Sequence, residues 1–406
     1  MNKRKIAIFT GNRSEYGLQF PVLKAVEKHP DLEYQLIVSG AHLDVNFGRT
    51  LQEIENDGFR IHAEVKTEMV GHTHYTTARA IGSGILSLSH ALNDLHPDIV
   101  VAFGDRFESF AMVIASSQMH IPTAHIEGGD LTEGGTLDDS VRHAMTKLSH
   151  LHFTSNQQAT NRILAMGEEE WRVYTVGFTV LDLINNGMYA SEKEVAEYFQ
   201  LDTSRPIVIF TQHPVSADYQ SAAAQIEQSL SALITLAEQG MQIIITYPNN
   251  DVGADAIISR LIALEKSSVK GIQIHKSIGC HLYHGILGLA KNTNNRIVCV
   301  GNSSSGIMET IAFGCPTVNI GSRQQGRLRG NNILDVDYSC AAIINAVNNC
   351  LYNESFRKKC REAENPYYMG GAGNKIADVL ANIALDQKLL RKRMMLKGEL
   401  NDGWYR

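Results

Sequence analysis

The sequence is poor in cysteine, and the cysteines it has are not arranged in pairs. All six lie between Cys280 and Cys360, and no two of them form a Cys-x-x-Cys motif. This pattern excludes a disulfide framework and the common zinc-binding motifs. We also predict that the protein uses no metal ion and no other cofactor.

The sequence also lacks a long apolar stretch. No run of apolar residues approaches the roughly 20 that are needed to cross a bilayer. After a basic start in residues 1–5, the apolar run covers only residues 6–9, which is too short for the core of a secretion signal. We therefore predict a cytoplasmic protein with no membrane partner.

Neither sign of charge is in large excess. Charged residues make up 20% of the chain, and the formal net charge is −6. A surface that binds nucleic acid needs a concentration of basic residues, so this composition argues against a nucleic-acid partner. The length of 406 residues exceeds what one ordinary core supports, which predicts two domains.

What the sequence does contain is a regular alternation of short apolar runs with helical patterns. This alternation predicts a parallel sheet with helices on both faces, and it occurs twice. The predicted fold is therefore α/β, with two Rossmann-like doubly wound domains. We place them at residues 1–184 and 185–375, followed by a C-terminal helix and tail, 376–406, that crosses back to the first domain. Helices are predicted over 18–28 and 376–396.

Acidic side chains follow two of the predicted central strands. The apolar run 99–103 leads into Asp105 and Arg106, and the run 122–126 leads into Glu127. Asp138 comes after a glycine-rich loop. Side chains beyond the carboxyl ends of parallel strands face the crevice where ligands bind, so these carboxylates should share one cleft. Such a cluster is costly and favours a functional site, although Asp105 and Asp138 taken singly are also typical helix caps.

Two loops carry the features of an anion site. Arg13 follows the first strand in a glycine-containing loop, and Ser303 and Ser304 follow a later strand at the start of a helix that carries Glu309. Free N–H groups at a helix start favour a phosphate, and Arg323 follows the next strand. The alternatives are a surface arginine beside a turn and ordinary N-capping by the serines. Neither a GxxxxGK[ST] nor a GxGxxG motif is present. A later His281–His284 pair is more typical of a polar surface patch than of a metal site.

The motifs GNR, GDRFE, HIEGGD, DDSVRH, HPV, PNND, GNSSSGIME and GSRQxGR occur in this order over residues 5 to 335. As a set they resemble the hydrolysing UDP-N-acetylglucosamine 2-epimerases of sialic-acid and related nonulosonate biosynthesis. The resemblance implies a GT-B fold, in which the two domains face a cleft and the second holds most of the nucleotide. It also implies conversion of UDP-N-acetylglucosamine and water to N-acetylmannosamine and UDP.

The resemblance also implies roles for individual residues. The catalytic set is Asp105, Glu127, Asp138 and His213. The residues that bind the UDP-sugar are Arg13, Arg106, His213, Asn249, Ser303, Ser304, Glu309 and Arg323. Between HIEGGD and DDSVRH the chain is about two residues longer than several members of the family. This difference affects the orientation of the Asp138 side chain and the sugar preference.

The expected chemistry is elimination of UDP to a glycal, followed by hydration. Positive charge that develops at C1 as UDP leaves makes the C2 proton removable, and carboxylates stabilise that charge. Several alternatives stay open: a diacetamido-trideoxy sugar, GDP in place of UDP, a non-hydrolysing epimerase, a GT-B glycosyltransferase and a nucleotide-sugar sensor. Because the family usually forms dimers or higher assemblies, a homodimer or homotetramer is expected.

Overall fold

The computed structural model describes residues 3–43, 50–67, 73–132 and 137–395. In this part of the chain the first half forms a seven-stranded parallel sheet of order β3-β2-β1-β4-β5-β6-β7. Its strands are β1 Arg4–Thr10, β2 Leu32–Ser39, β3 Ile61–Val65, β4 Ile99–Phe103, β5 Thr123–Ile126, β6 Leu151–Thr154 and β7 Val173–Thr175. Its helices are α1 Arg13–Lys28, α2 Leu51–Asn56, α3 His74–Leu95, α4 Phe107–Gln118, α5 Leu137–Leu148, α6 Gln157–Ala165 and α7 Leu181–Asn185.

The described residues of the second half form a six-stranded parallel sheet of order β10-β9-β8-β11-β12-β13. Its strands are β8 Ile207–Thr211, β9 Gln242–Thr246, β10 Ile272–His275, β11 Ile297–Gly301, β12 Thr317–Ile320 and β13 Ile333–Val336. The helices that follow α7 are α8 Glu192–Phe199, α9 Ala222–Glu238, α10 Ala254–Ser267, α11 Gly279–Gly288, α12 Ser305–Met308, α13 Cys340–Tyr352, α14 Glu354–Arg361, α15 Ala372–Asn382 and α16 Gln387–Leu390.

The predicted fold class, two doubly wound parallel sheets, is confirmed. The central strands explain why the sequence folds this way: every residue of β4 and of β11 is buried. A strand with apolar side chains on both faces needs helices on both sides, and parallel neighbours need a crossover that supplies them. The domain boundaries that we assigned stay a prediction.

Helix α1 begins earlier than predicted, at Arg13 instead of residue 18. The side-chain oxygen of Asn12 accepts a hydrogen bond from the backbone N–H of Glu15 at 3.1 Å and so caps the helix. The residues interpreted as a loop therefore form its first turn. As a result Arg13 and Ser14 are held at the carboxyl end of β1.

The predicted single helix over residues 376–396 is also wrong, because the chain forms α15 and then the short α16. The Asp386 side chain accepts a hydrogen bond from the Leu389 N–H at 3.0 Å, which starts the second helix. Helix α15 packs against α1, where Gly373 approaches Pro21 so closely that a Cβ would come within 2.6 Å of the Pro21 carbonyl oxygen. Residues 396–406 of the predicted tail lie outside the described part.

The chain passes between the two halves near Phe178 and again near Tyr367, and these two crossings lie side by side. The Phe178 N–H donates to the Tyr367 carbonyl oxygen at 2.9 Å. The Asp182 carboxylate accepts from the N–H groups of Ala372 and Gly373 at 3.1 and 2.8 Å. The two crossings are thus joined to each other as well as to the sheets.

One buried arginine helps to fasten the end of the described chain to the first half. The Arg172 guanidinium donates to the carbonyl oxygens of His150, Lys388, Leu389 and Arg391 at distances of 2.8 to 3.2 Å. Across the residues that the structure describes, no helix has both the length and the apolar character that a membrane span requires.

Candidate active site

A cleft between the two halves contains two adjoining cavities. The smaller has a volume of about 160 Å³ and the larger about 360 Å³. They share a wall that contains Ser14, Leu18, Asn249, Ser304 and Arg323. The cleft lies at the carboxyl ends of the strands in both sheets, which is where open α/β folds bind ligands.

The three carboxylates singled out in the sequence all line the larger cavity. Asp105 follows β4, Glu127 follows β5, and Asp138 lies in the first turn of α5. Glu127 has a backbone φ of 63°, in the left-handed region, which is uncommon for a residue other than glycine and is frequent at functional sites. Its buried Oε1 atom has no hydrogen-bond partner among the described residues.

A buried arginine that we had not assigned to the site holds Asp105 in place. The Nη2 atom of Arg142 donates to the Asp105 carboxylate and, at 3.2 Å, to the Thr132 hydroxyl. Its Nη1 atom lies 3.5 Å from the Asp130 carboxylate. Burial opposes ionisation of Asp105, but the nearby guanidinium groups, Arg142 first among them, outweigh it and lower the pKa of this carboxyl. Asp105 is therefore ionised at neutral pH.

The other two carboxyls are shifted in the opposite direction. Burial and the neighbouring Asp130 raise the pKa of Glu127 from 4.5 to about 8. Burial and the neighbouring Asp105 raise the pKa of Asp138 from 3.8 to about 7. One cavity therefore holds an ionised carboxylate beside two carboxyls that exchange protons near neutral pH. Such separated pKa values are what a reaction with both an acid and a base needs.

The raised pKa of Glu127 predicts a pH-dependent stability. The folded protein favours the neutral carboxyl, whereas the unfolded chain ionises it near 4.5, so Glu127 lowers the free energy of unfolding as the pH rises from about 4.5 to about 8. We expect the Glu127→Gln variant to lose less stability than the wild type between pH 5 and pH 8.5, measured by urea unfolding. The exposed Glu55→Gln variant should lose as much stability as the wild type. If Glu127→Gln also loses as much as the wild type, the raised pKa of Glu127 is contradicted.

The smaller cavity is lined by the residues expected to bind the nucleotide, namely Arg13, His213, Asn249, Ser303, Ser304, Glu309 and Arg323. Arg13 reaches it from the first half, and its Nη1 atom donates to the Lys276 carbonyl oxygen at 3.0 Å. The other members come from the second half. The structure thus brings together residues that are up to 310 positions apart in sequence, Arg13 and Arg323.

His213 is held by the backbone and by an asparagine. Its N–H donates to the Asn302 side-chain oxygen at 2.6 Å, and its ring Nδ1 accepts from the Asn249 N–H at 3.2 Å. An Nδ1 that accepts leaves the proton of the neutral ring on Nε2. Burial and the neighbouring Arg323 lower the pKa of His213 to about 3, so the ring is neutral and presents one N–H donor.

The loop that carries Ser303 and Ser304 turns tightly after β11. Gly301 has a φ of 131°, and a Cβ there would lie 1.9 Å from the Thr211 carbonyl oxygen, so no other residue fits. Helix α12 that follows is only four residues long and ends at Met308, shorter than we predicted. Arg323 is fixed beside this loop because its Nη1 atom donates to the Asn302 carbonyl oxygen at 3.1 Å.

Glu309 is buried next to a histidine that we had interpreted as part of a surface patch. His284 is buried, and its Nε2 lies 2.7 Å from Oε2 of Glu309, while Nδ1 lies 3.3 Å from the Cys280 sulfur. Although burial opposes the charge, Cys280 and Glu309 together raise the pKa of His284 to about 10. Of the predicted pair, only His281 is exposed, where it pairs with Glu194 at 3.1 Å.

Two arginines connect the halves across the larger cavity. Arg106 donates to Asp251 and Asn250 of the second half, and its Nε also donates to Glu108 at 3.3 Å. Arg327, which we had not assigned to the site, extends from the second half to the first. It donates to the Leu131 carbonyl oxygen at 2.8 Å and pairs with Asp130 at 3.2 Å. Arg106 thus contacts protein carboxylates as well as the cavity. Four residues of the longer loop before Asp138, 133–136, lie outside the described residues.

Comparison with known proteins gives one family. A sequence profile described as UDP-N-acetylglucosamine 2-epimerase matches residues 24–381. The chain is 33% identical to the UDP-N,N'-diacetylbacillosamine 2-epimerase (hydrolyzing) of Legionella pneumophila, over 96% of this chain and 98% of that protein. It is 34% identical to the GDP/UDP-N,N'-diacetylbacillosamine 2-epimerase (hydrolyzing) of Campylobacter jejuni, over 82% of this chain and 85% of that protein.

The fold agrees with this grouping. The crystal structure of UDP-GlcNAc 2-epimerase from Neisseria meningitidis bound to UDP-GlcNAc superposes with a TM-score of 0.77 at 19% identity, covering 93% of this chain and 99% of that one. The predicted resemblance is therefore confirmed. The chain belongs to the UDP-N-acetylglucosamine 2-epimerase family and is an enzyme of that family.

Proposed function

We propose that this enzyme is a hydrolysing 2-epimerase, which converts UDP-N-acetylglucosamine and water to N-acetylmannosamine and UDP for the biosynthesis of sialic-acid-type sugars. The observation that carries the proposal is the larger cavity, where ionised Asp105 lies with Glu127 and Asp138, whose pKa values are about 8 and 7. A nucleotide sugar whose diphosphate occupies the shared wall would present its C1 and C2 atoms to these acids.

The reaction that we propose has two stages. In the first, the C1–O bond breaks with its electron pair leaving on UDP, a carboxylate removes the C2 proton, and a C1–C2 double bond remains. Asp105 stabilises the positive charge that develops at C1. Arg13, Arg323 and the neutral His213 Nε2–H stabilise the departing diphosphate.

In the second stage water adds to C1 of the glycal. One carboxyl gives a proton to C2 from the opposite face of the ring, and another accepts the proton that the water loses. Glu127 and Asp138 suit these transfers because each exchanges a proton near neutral pH.

Incubation with UDP-N-acetylglucosamine in deuterated water, followed by NMR, tests this proposal. We expect free N-acetylmannosamine and UDP, with deuterium at C2 of the sugar. A non-hydrolysing epimerase would instead give UDP-N-acetylmannosamine, with the sugar still joined to the nucleotide. A product that carries ordinary hydrogen at C2 would contradict proton exchange at that carbon.

A second candidate is the same reaction on UDP-2,4-diacetamido-2,4,6-trideoxyglucose, for legionaminic-acid-type sugars. It is favoured by the two relatives named above, which share about a third of their residues with this chain and are named for a diacetylbacillosamine substrate. The name of the Campylobacter protein also includes a GDP-sugar, so GDP in place of UDP belongs in the same substrate panel. The cytoplasmic location and the homodimer or homotetramer stay predictions.

The Glu309–His284 pair gives a prediction for nucleotide binding. We propose that Glu309, oriented by His284, accepts hydrogen bonds from the two ribose hydroxyls. Hydrogen bonds to a charged group contribute about 1.5–3 kcal/mol, so Glu309→Gln should weaken UDP binding roughly ten- to a hundredfold. Isothermal titration calorimetry with UDP and with 2'-deoxy-UDP measures the effect, which should be smaller for the deoxy nucleotide. The exposed Glu238→Gln variant is the control, and equal weakening for both nucleotides would remove the ribose assignment.

A further inference from the structure

Two of the six cysteines are accessible, and one of them opens into the cleft. All six lie in the described part of the chain as free thiols, and burial raises the pKa of four of them, namely Cys299, Cys315, Cys350 and Cys360. The other two, Cys280 and Cys340, are half-buried. Cys280 lines the smaller cavity, whereas Cys340 starts α13 and lines neither cavity. A small reagent that enters the cleft therefore reaches Cys280.

A histidine and a glutamate continue in a line from the Cys280 sulfur. The sulfur lies 3.3 Å from Nδ1 of His284, and Nε2 of His284 lies 2.7 Å from Oε2 of Glu309. Although burial opposes the charge, Cys280 and Glu309 raise the pKa of His284 to about 10, so both ring nitrogens carry a proton at neutral pH. An imidazolium that donates to a sulfur stabilises the thiolate, which is the nucleophilic form of cysteine.

The other ionisable groups beside Cys280 leave the local charge positive. Burial lowers the pKa of Arg13, and Cys280 is one of the neighbours that oppose this effect. The Glu53 carboxylate accepts a hydrogen bond from the Cys280 N–H, but burial raises the pKa of Glu53 and favours its neutral form. Burial also raises the pKa of Tyr283, which lines the same cavity. Two cations, Arg13 and the His284 imidazolium, therefore lie beside the sulfur, as is typical of reactive cysteines.

The packing of helix α1 leaves space next to this sulfur. A Cβ at Gly17 of α1 would lie 3.3 Å from the Cys280 Cβ and 3.6 Å from the sulfur, so a side chain there would cover the thiol. Gly17 and Cys280 both line the smaller cavity, which has a volume of about 160 Å³. An atom added to the sulfur therefore takes space from whatever occupies this cavity.

We propose that Cys280 is a site of reversible oxidation by hydrogen peroxide and that its sulfenic acid weakens nucleotide binding in the smaller cavity. The thiolate sulfur attacks one peroxide oxygen, so that an S–O bond forms and the O–O bond breaks. The hydroxide that leaves takes the proton from Nδ1 of His284 and departs as water. Sulfur loses two electrons, and the peroxide gains them. A thiol then displaces water to form a mixed disulfide, and a second thiol releases the reduced cysteine.

Oxidation would act on nucleotide binding in two ways. The added oxygen narrows the cavity. The sulfenic acid also lacks the negative charge of the thiolate, so His284 loses one of the two groups that keep it protonated, and its ion pair with Glu309 weakens. The position of the nucleotide belongs to the proposed function, so the effect on binding rests on that function. The reactivity of the thiol does not.

The rate of alkylation by iodoacetamide at pH 7 tests the thiol without any nucleotide. Peptide mass spectrometry follows each cysteine, and we expect Cys280 to react about tenfold faster than Cys340, the half-buried control. His284→Gln should abolish most of this difference and Glu309→Gln part of it, with urea unfolding to verify that both variants fold. The reactive thiol is overturned if Cys280 reacts no faster than Cys340, or if neither variant slows it.

Calorimetry with UDP tests the effect on binding, before and after peroxide treatment and again after a thiol reductant. We expect oxidation to weaken UDP binding about tenfold and the reductant to restore it. A 1,3-dione that traps sulfenic acids should label Cys280. Cys340→Ser should respond to peroxide as the wild type does, and Cys280→Ser should not respond.

Two results would overturn the effect on binding, namely unchanged UDP affinity once Cys280 is oxidised and a response to peroxide that persists in Cys280→Ser. A protein that fails to bind UDP before treatment would refute the proposed function instead. The alkylation rates would still decide whether Cys280 is a reactive thiol, so the two failures are distinguishable.

Discussion

Replacing Glu127 by glutamine is expected to lower kcat by roughly two orders of magnitude or more, the usual contribution of a positioned acid or base. Glutamine keeps the shape of the side chain but cannot exchange a proton. Affinity for UDP should change little, because Glu127 lines the larger cavity and not the smaller one. Steady-state kinetics by UDP release and calorimetry with UDP measure the two quantities on the same protein.

Asp105→Asn is expected to give the same pattern for a different reason. Asp105 is ionised and carries the charge that stabilises C1 as UDP departs, so removing that charge acts on the barrier rather than on ground-state binding. The exposed Glu55→Gln variant should behave as the wild type in both measurements. Near-normal turnover in either Glu127→Gln or Asp105→Asn would refute the catalytic assignment of that residue.

The second large effect is expected at Arg142. Its guanidinium is buried against Asp105 and Asp130, and Arg142→Met would leave both carboxylates without this partner. Breaking a buried ion pair by removing one side costs about 3–5 kcal/mol, because an uncompensated charge is left in the interior. We therefore expect a clear loss of unfolding free energy, measured by urea titration, together with loss of turnover.

A surface pair provides the matched control for Arg142. Lys193 and Glu197 form an exposed pair 3.7 Å apart, so Lys193→Met should change stability by less than about 1 kcal/mol. The double variant Arg142→Met/Asp105→Asn should recover part of the stability lost in Arg142→Met, since the Asp105 charge that lost its partner is gone, whereas Asp130 keeps its pair with Arg327 in both variants. If the double variant is as unstable as the sum of the two single changes, the Asp105 pair does not account for the loss.

The fold was largely predictable from the sequence because its strongest signals are local. The runs that form β4 and β11 are apolar at nearly every position, which is typical of strands buried on both faces. The first turn of α1 was missed because Asn12 lies among glycine and serine residues that also indicate a loop. Only its hydrogen bond to the Glu15 N–H identifies it as a helix cap.

The candidate site was predictable for residues that directly follow a strand. It was not predictable for residues whose place in the site depends on a contact with a distant element. Asp105 and Glu127 follow strands, so their shared cleft could be inferred. Arg142 lies four residues after Asp138, which indicates only a common helix face, and its burial depends on Asp105 and Asp130 from two other loops. His284 is paired with a glutamate 25 positions away, and no spacing rule connects them.

The paired crossings near Phe178 and Tyr367 have a consequence for how a substrate enters. Because the Phe178–Tyr367 hydrogen bond and the Asp182 cap join the two crossings, the chain passes between the halves at one place. We expect the two halves to rotate about this hinge, so that the side of the cleft farthest from it opens the most. The contacts of Arg106 and Arg327 would then be the first to separate. The hydrogen bonds at the hinge would persist throughout the turnover cycle.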